Sequence, residues 1–222
     1  KANNSTVTNK HGVYSEANYL TLKNLYVHDC PAYGINLHEI NSGSGTYSEY
    51  LLIMNNLVVD CGNSFYDNFV LDFVRYSTVS GNLNKGSGRH GINITTKSRY
   101  NTINNNVIVS AAINGITLQS GSTLTNQSEQ NVIANNYVIS AGNEGIYLRD
   151  SDFNTITGNN IVTCAHHGIR IRSSSYNSVT GNTLKGNATA AGGGNNYQEI
   201  GIDDDFATYS VYSTYNSISD NT

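Results

Sequence analysis

The feature that most constrains the fold is a short motif that recurs along the chain. In most copies a glycine is followed by alternating apolar and polar residues. The copies are "GINL" at 34, "NFVL" at 68, "GINI" at 91, "GITL" at 115, "GIYL" at 145, "GIRI" at 168 and "GIDD" at 201. The second copy has asparagine at the glycine position. Asn-rich runs such as "NTINNNVIV" and "NTITGNNIV" separate the copies.

A repeat of this length, made of short strands and turns, is typical of a solenoid of stacked coils. Leucine-rich and ankyrin patterns and a helical period of 3.6 are absent, and WD40-type blades need a longer repeat. Asparagine tolerates the left-handed conformation at sharp corners, and its amide can bond to the next coil. We therefore predict one all-β domain over residues 1–222, a parallel β-helix with coils of about 23 residues plus inserts. Because solenoid ends need caps, we expect this chain to be a window of a longer one.

Composition agrees with this prediction and narrows the function. Only 13% of the 222 residues are charged, whereas β-branched and aromatic residues are plentiful, which is not a disorder signature. No apolar run reaches the length of a membrane span, and no signal peptide is recognisable. The net charge of -4 argues against a nucleic-acid partner. Cys30, Cys61 and Cys164 fit neither a zinc pattern nor a disulfide framework, and we interpret them as small buried side chains.

The glycine sets the direction of each side chain in the following strand. In "GINLHE", Ile35 and Leu37 should point inward, and Asn36 and His38 outward. The expected inward ladder contains Ile35, Val70 or Leu71, Ile92, Ile116, Ile146 and Ile169. The second coil lacks the glycine, so its register could differ by one residue, which would exchange inward and outward side chains. The same rule places a polar stripe on one outer face: Tyr33, Asn36, His38, Asp67, Asp72, Arg89, His90 and Asn93, with Arg149, Arg170 and Arg172 further along.

A row of cations and hydrogen-bonding groups suits a linear anionic polymer, and we expect an acidic polysaccharide as the partner. Single outward histidines are usually only solvated, and we interpret His11, His28, His166 and His167 in that way. Glu39 is assigned a structural role in the adjoining turn.

Three segments resemble one enzyme family. "YGINLHE" resembles the "YGFDPHE"-type motif of the mannuronan C-5-epimerases, "DNFVLDF" is similar to their "DGFVADY", and "GRHGINITT" to their "DRHGFNVVT". The resemblance covers about residues 20 to 120. It implies a right-handed parallel β-helix that is secreted or held at the cell surface. It also implies C-5 epimerisation of mannuronate in alginate or a related polyuronate.

The resemblance also implies roles for individual residues. Tyr33 and His38 become the acid/base pair, and Asp72 and Arg89 position the substrate. His90 and Asn93 line the same groove. The family also uses a lysine from the preceding coil, which Lys10 matches best.

Two departures from the family leave alternatives open. Asn36 stands where the family has aspartate, and Leu37 where it has proline. An amide can donate a hydrogen bond to a sugar carboxylate, as in polyuronate lyases, or the site can be reduced to binding. A polyuronate lyase and a non-catalytic carbohydrate-binding β-helix therefore remain as alternatives to an epimerase. We expect no obligatory cofactor. Calcium at the "DDD" run, 203–205, and the oligomeric state are left open.

Overall fold

In the computed structural model, parallel strands stack coil on coil into a β-solenoid, which confirms the predicted fold class. The structure describes residues 10–41, 43–120, 126–190, 198–204 and 212–222. Asp205, part of the "DDD" run, lies outside them. Most coils contribute one short strand to each of three sheets, so nearly all pairing joins residues 22 to 39 positions apart.

Sheet 1 carries the glycine motifs. In the described part of the chain its strands are β1 (Val13–Ser15), β4 (Ile35–Leu37), β8 (Phe69–Asp72), β12 (Ile92–Thr95), β15 (Ile116–Gln119), β18 (Ile146–Arg149), β21 (Ile169–Arg172) and β24 (Ile200–Asp203).

The other two sheets contain the Asn-rich runs. Sheet 2 consists of β2 (Thr21–Lys23), β6 (Leu52–Met54), β10 (Thr78–Ser80), β13 (Thr102–Asn104), β16 (Val132–Ala134), β19 (Thr155–Thr157), β22 (Ser178–Thr180) and β25 (Ser217–Ser219). Sheet 3 consists of β3 (Tyr26–His28), β7 (Leu57–Val59), β11 (Leu83–Lys85), β14 (Val107–Val109), β17 (Tyr137–Ile139), β20 (Asn160–Val162) and β23 (Thr183–Lys185). A small extra pair joins β5 (Ser48–Glu49) to β9 (Val74–Arg75).

Alternation along sheet 1 builds the core as predicted, except that Phe69, and not Val70 or Leu71, stacks between Ile35 and Ile92. Two inward ladders are fully buried: Ile35, Phe69, Ile92, Ile116, Ile146 and Ile169, and beside it Leu37, Leu71, Ile94, Leu118, Leu148 and Ile171. The open register of the second coil is thereby resolved: Leu71 points inward, and Val70 lies in the outer row beside Asn36. The three cysteines are free and buried, as interpreted.

The recurring glycine is explained by crowding. A Cβ added at Gly34 would lie 2.6 Å from the carbonyl oxygen of Asn68 and 2.5 Å from Val58 Cγ1, too close for any side chain. Asn68 occupies the glycine position of the second coil because its amide has partners there. Its Oδ1 accepts from the Cys61 N–H at 3.1 Å, and its Nδ2 donates to Asn84 Oδ1 at 2.7 Å.

Paired asparagines turn the chain between sheets 2 and 3. The first residue of the pair adopts a positive φ, as at Asn55, Asn105 and Asn135. The second side chain is buried and joins a ladder that runs through Asn56, Asn82, Asn106, Asn136, Asn159, Asn182 and Asn221. From Asn82 onward, each Oδ1 accepts from both the main-chain N–H and the side-chain amide of the asparagine in the preceding coil, so the predicted asparagine ladder is present.

Aromatic side chains stack along the corner between sheets 1 and 2, a feature that sequence inspection missed. Tyr19, Tyr50, Tyr76 and Tyr100 form one ladder, and Phe153, Tyr176 and Tyr215 form another, with neighbouring centroids 4.9 to 5.7 Å apart. All seven have positive φ, and Gln130 occupies the equivalent place between the two ladders. Ring stacking therefore compensates for a backbone conformation that bulky residues disfavour.

The asparagine ladder generates a stability prediction. Replacing Asn136 with alanine removes the acceptor shared by the main-chain N–H and the side-chain amide of Asn106, and it removes a donor to the carbonyl of Ile103. Each unsatisfied buried group costs roughly 1–3 kcal/mol, so we expect a loss of about 3 kcal/mol or more in the free energy of unfolding. Urea denaturation measures it. Asn160→Thr, on an exposed strand position, is the control and should change stability by less than about 0.5 kcal/mol. Equal effects for the two variants would contradict the role of the ladder.

Candidate functional site

A cavity of about 360 Å³ opens on the outer face of sheet 1, over its first three coils. It is lined by His11, Tyr14, Tyr33, Asn36, His38, Tyr66, Val70 and Asp72. Parallel register places Tyr14, Asn36 and Val70 in one row across β1, β4 and β8. Residues from three separate chain segments therefore meet in one cavity, and four of the predicted site residues are among them.

His38 and Asp72 form the charged pair of this cavity. The Nε2 of His38 lies 3.2 Å from Asp72 Oδ2, and each side chain is less than a quarter exposed. The hydrogen bond that His38 donates to Asp72 raises the pKa of His38, although burial opposes it. Asp72, expected as a substrate-positioning residue, thus contacts the predicted acid/base histidine directly. An aspartate in this place fixes the imidazole and stabilises its protonated form.

His11 was set aside as a solvated histidine, and that interpretation is wrong. Its ring stacks on Tyr14 and on Tyr33, with centroids 5.5 and 5.4 Å away. Burial and the charge of His38 lower the pKa of His11, so it stays neutral where His38 is protonated. Its Nδ1 is buried without a hydrogen-bond partner among the described residues. The sequence feature that could have revealed His11 is the run "HGVYSE" at 11–16, which is an earlier copy of the motif. The glycine of this copy, Gly12, donates its N–H to Tyr33 O.

Tyr33 lies beside His11 and makes an edge contact with Tyr66 at 5.0 Å. Burial, reinforced by Asp67, raises the pKa of Tyr33, while Arg89 opposes the shift. The phenol is therefore protonated at neutral pH and suited to donating a proton. The influence of Arg89 places its guanidinium within electrostatic reach of the cavity.

Asp67 does not lie on the surface as predicted. Its side chain is fully buried, accepts from the His90 N–H at 2.9 Å and from Asn93 Nδ2 at 3.0 Å, and lies 4.0 Å from Arg89. Burial raises the pKa of Asp67 to about 6, although Arg89, Asn93 and the His90 N–H act to lower it. Direct contact with a substrate needs exposed atoms, and Asp67 has none. The prediction failed because alternation gives the direction of a side chain but not what covers it.

His90 and Asn93 belong to the same buried layer and are each less than 5% exposed. Burial, with a contribution from Arg89, lowers the pKa of His90 to about 3, so the ring is neutral, and its Nδ1 accepts from Asn114 N–H at 3.3 Å. Asn93 bridges Asp67 and Gln119. Both residues support the face from beneath, whereas Arg89 reaches its surface.

A second cavity of about 350 Å³ follows along sheet 1 and contains Arg89, Glu144, Tyr147, Arg149, His166 and Arg170 in its lining. Arg170 bridges two carboxylates, with Nη1 3.1 Å from Glu144 and Nη2 2.5 Å from Asp203. Arg149 and Arg172 are direct neighbours across β18 and β21, as the register predicted. Much of the charge of Arg170 is therefore compensated within the protein.

The remaining predicted residues fall outside the two cavities. Lys10 does not line either of them; its carbonyl accepts from Ala32 N–H. Glu39 accepts hydrogen bonds from the main chain of Gly43 and Gly45, which is the structural role assigned to it. Of the "DDD" run, Asp203 pairs with Arg170, and Asp204 accepts from Ser213 N–H.

Known structures share this architecture. The chain matches the A-module of the mannuronan C-5 epimerase AlgE6 of Azotobacter vinelandii, with a TM-score of 0.80 and 22% identity over 92% of this chain and 51% of that one. The fold is that of the mannuronan C-5 epimerases. The periplasmic alginate epimerase AlgG matches with a TM-score of 0.54 and 17% identity, covering 96% of this chain and 47% of its own. At these identities the likeness establishes the fold alone, and the chain spans about half of each structure.

Other matches extend beyond the epimerases. The Dettilon tailspike protein matches with a TM-score of 0.65 and 14% identity, over 93% of this chain and 42% of that one. The profile of the family "Periplasmic copper-binding protein (NosD)" matches residues 119–222. No curated protein sequence matches the chain. Among the described residues, no three His, Cys, Asp or Glu side chains are grouped to hold a metal ion. None of the described segments forms a helix with the length and apolar character that a membrane crossing requires.

The pairing of Arg170 generates a second prediction. In Arg170→Ala the carboxylate of Glu144, which is only 5% exposed, loses its nearest cation. Leaving a buried charge unpaired costs several kcal/mol, so we expect the free energy of unfolding to fall by about 2 kcal/mol or more. Arg172→Ala is the control, in the same strand, and should cost less. A similar small loss in both variants, measured by thermal unfolding, would mean that Arg170 is not a structural cation.

Proposed function

We propose that this protein modifies a linear polyuronate of the alginate type by removing the proton at C-5 of a uronate residue. The observation that carries the proposal is the His38–Asp72 pair inside a cavity walled by Tyr33, Asn36 and His11. Structures that share the fold include mannuronan C-5 and alginate epimerases, which supports this substrate class. The periplasmic names of two matches support action outside the cytoplasm.

The C-5 proton is weakly acidic, and its removal needs the adjoining carboxylate to be neutralised so that charge can spread into it. Asn36 is our candidate for this role because it lies on the middle one of the three strands that line the cavity, and its amide can donate to a carboxylate. Arg89, close enough to influence Tyr33, adds positive charge from the side of the next cavity. A neutraliser made of an amide and a guanidinium replaces the aspartate of the family motif.

His38 is our proposed base, and Asp72 is the group that orients it. A histidine whose pKa is raised by a carboxylate accepts a proton more strongly, provided that the pH lies above that pKa. Tyr33, held protonated by burial, is the proposed acid. If Tyr33 returns a proton to C-5 from the other side of the ring, the sugar is epimerised. If the proton goes to the glycosidic oxygen, the chain is cut.

Removing either group tests the proposal. We expect His38→Ala and Tyr33→Phe to lower kcat on polymannuronate by about 10²-fold or more, the usual contribution of general acid–base catalysis. Folding should be retained because neither side chain belongs to the core. Solvent deuterium at C-5 of an unbroken chain identifies an epimerase, and ultraviolet absorbance of an unsaturated uronate identifies a lyase. If neither signal appears with any polyuronate although the polymer still binds, the protein is a binding protein.

Because the pKa of His38 is raised and that of His11 is lowered, a pH profile can distinguish which one is the base. If His38 is the base, activity falls as the pH drops through its pKa, which lies above the ordinary 6.5. Asp72→Asn removes the cause of the shift, so the acid limb of the kcat profile should move to lower pH while kcat falls. If the acid limb of the profile instead lies below pH 6.5 and does not move in Asp72→Asn, the base is His11 and not His38.

A further inference from the structure

A third cavity, of about 430 Å³, lies where the strands of sheet 1 end. Its lining consists of Gly45, Tyr47, Phe73, Lys97, Arg99, Gln127 and Glu129. It adjoins the proposed catalytic cavity through consecutive residues, because Asp72 lines the one and Phe73 the other. Nothing in the sequence pattern pointed to it, because its residues follow the strands and the insert at 40–47 supplies part of its wall.

Two aromatic rings and the Arg99 guanidinium line one side of this cavity. The Arg75 guanidinium carbon lies 4.4 Å from the centroid of the Tyr47 ring, and that of Arg99 lies 5.2 Å from it. Tyr47 makes an edge contact with Phe73 at 5.8 Å. Rings fixed in this way have little freedom to lose when a ligand packs on them.

The two cations that line the cavity, Lys97 and Arg99, differ in how far they are compensated. Arg99 lies 3.7 Å from Glu129, whereas Arg75, which contacts Tyr47 but does not line the cavity, pairs with Glu49. Lys97 Nζ lies 5.9 Å from the Phe73 ring and has no ion pair among the described residues. The Nε of Arg99 is buried and makes no hydrogen bond to any described residue. The cavity therefore keeps the positive charge of Lys97 beside its aromatic wall.

The backbone that carries Lys97 is strained. Thr96 and Lys97 both have positive φ, 48° and 62°, in succession. Each such residue costs on the order of 1 kcal/mol, and the conformation persists because Lys97 N–H donates to Asn126 O at 2.9 Å and Arg99 N–H to Val74 O at 3.1 Å. Positive φ recurs at the corners of this solenoid, as at Phe73 on the preceding coil, and here two such residues in succession hold Lys97 at the cavity.

We propose that this cavity binds a second uronate residue of the same polysaccharide chain. Lys97 and Arg99 receive the carboxylate, and the C–H face of the sugar packs on Tyr47 and Phe73. The inference rests on the proposed function for its choice of ligand. A free small anion would need the cations but not the aromatic wall, and a neutral sugar would need the wall but not Lys97. The junction at Asp72 and Phe73 allows one chain to occupy both cavities.

Length-resolved binding tests the proposal. All proteins carry His38→Ala to prevent turnover, and oligomannuronates of three to ten residues are titrated by calorimetry. We expect Lys97→Gln to weaken binding of the long oligomers about 5- to 10-fold and to weaken binding of the trimer less, because a shorter chain has fewer residues with which to reach this cavity. Glutamine keeps the flexible stem and removes only the charge. Lys85→Gln, at an exposed position of β11 in sheet 3, is the matched control and should change neither.

Three outcomes separate the possibilities. If Lys97→Gln and Lys85→Gln weaken binding equally, or long and short oligomers suffer equally, the effect is general electrostatics and the second site is overturned. If Tyr47→Phe, which keeps the ring, binds like the parent while Lys97→Gln does not, the site is supported. If the parent itself binds no polyuronate of any length, the proposed function fails, whatever Lys97 does. Circular dichroism establishes that each variant is folded.

Discussion

The buried asparagine ladder is the interaction on which the rest of the structure depends. Each amide oxygen accepts two hydrogen bonds from the coil before it, and each amide nitrogen donates to main-chain carbonyls, so the turn between sheets 2 and 3 has few unsatisfied groups. A slip of one residue would leave all these buried groups without hydrogen-bond partners, and it would exchange the inner and outer faces of the strands. The ladder therefore fixes the register of neighbouring coils to a single residue.

A fixed register is what makes a site from distant segments possible. His11, Tyr33, Asn36, His38 and Asp72 lie on three coils and meet only because equivalent positions of sheet 1 stack directly. Inserts such as 40–47 project outward from the corner between sheets 1 and 2. They do not shift the stack, since the strands on either side remain paired. The insert can thus build the wall of a new cavity while the catalytic cavity keeps its geometry.

The sequence was sufficient for what depends on local pattern. The glycine motif and strand alternation correctly placed Ile35 and Leu37 in the core and His38 on the outer face. Alternation could not show that Asp67 is covered, because its depth depends on Arg89, His90 and Asn93 from the next coil. It could not show the partners of Arg170 either, which come from positions 26 and 33 residues away. His11 was missed because its motif copy, "GVYS", carries serine at the second inward position.

The charges of the outer face couple substrate binding to proton transfer. Asp67 has a pKa of about 6 and lies 4.0 Å from Arg89, so protonation of Asp67 below that pH leaves the guanidinium uncompensated. Protonation of His38, whose pKa Asp72 raises, adds a second positive charge. Both changes strengthen attraction for a polyanion. The same protonation of His38 removes the proposed base. On the proposed mechanism, a pH below the pKa of His38 therefore favours a bound but unreacted polymer, and a pH above it favours turnover with weaker binding.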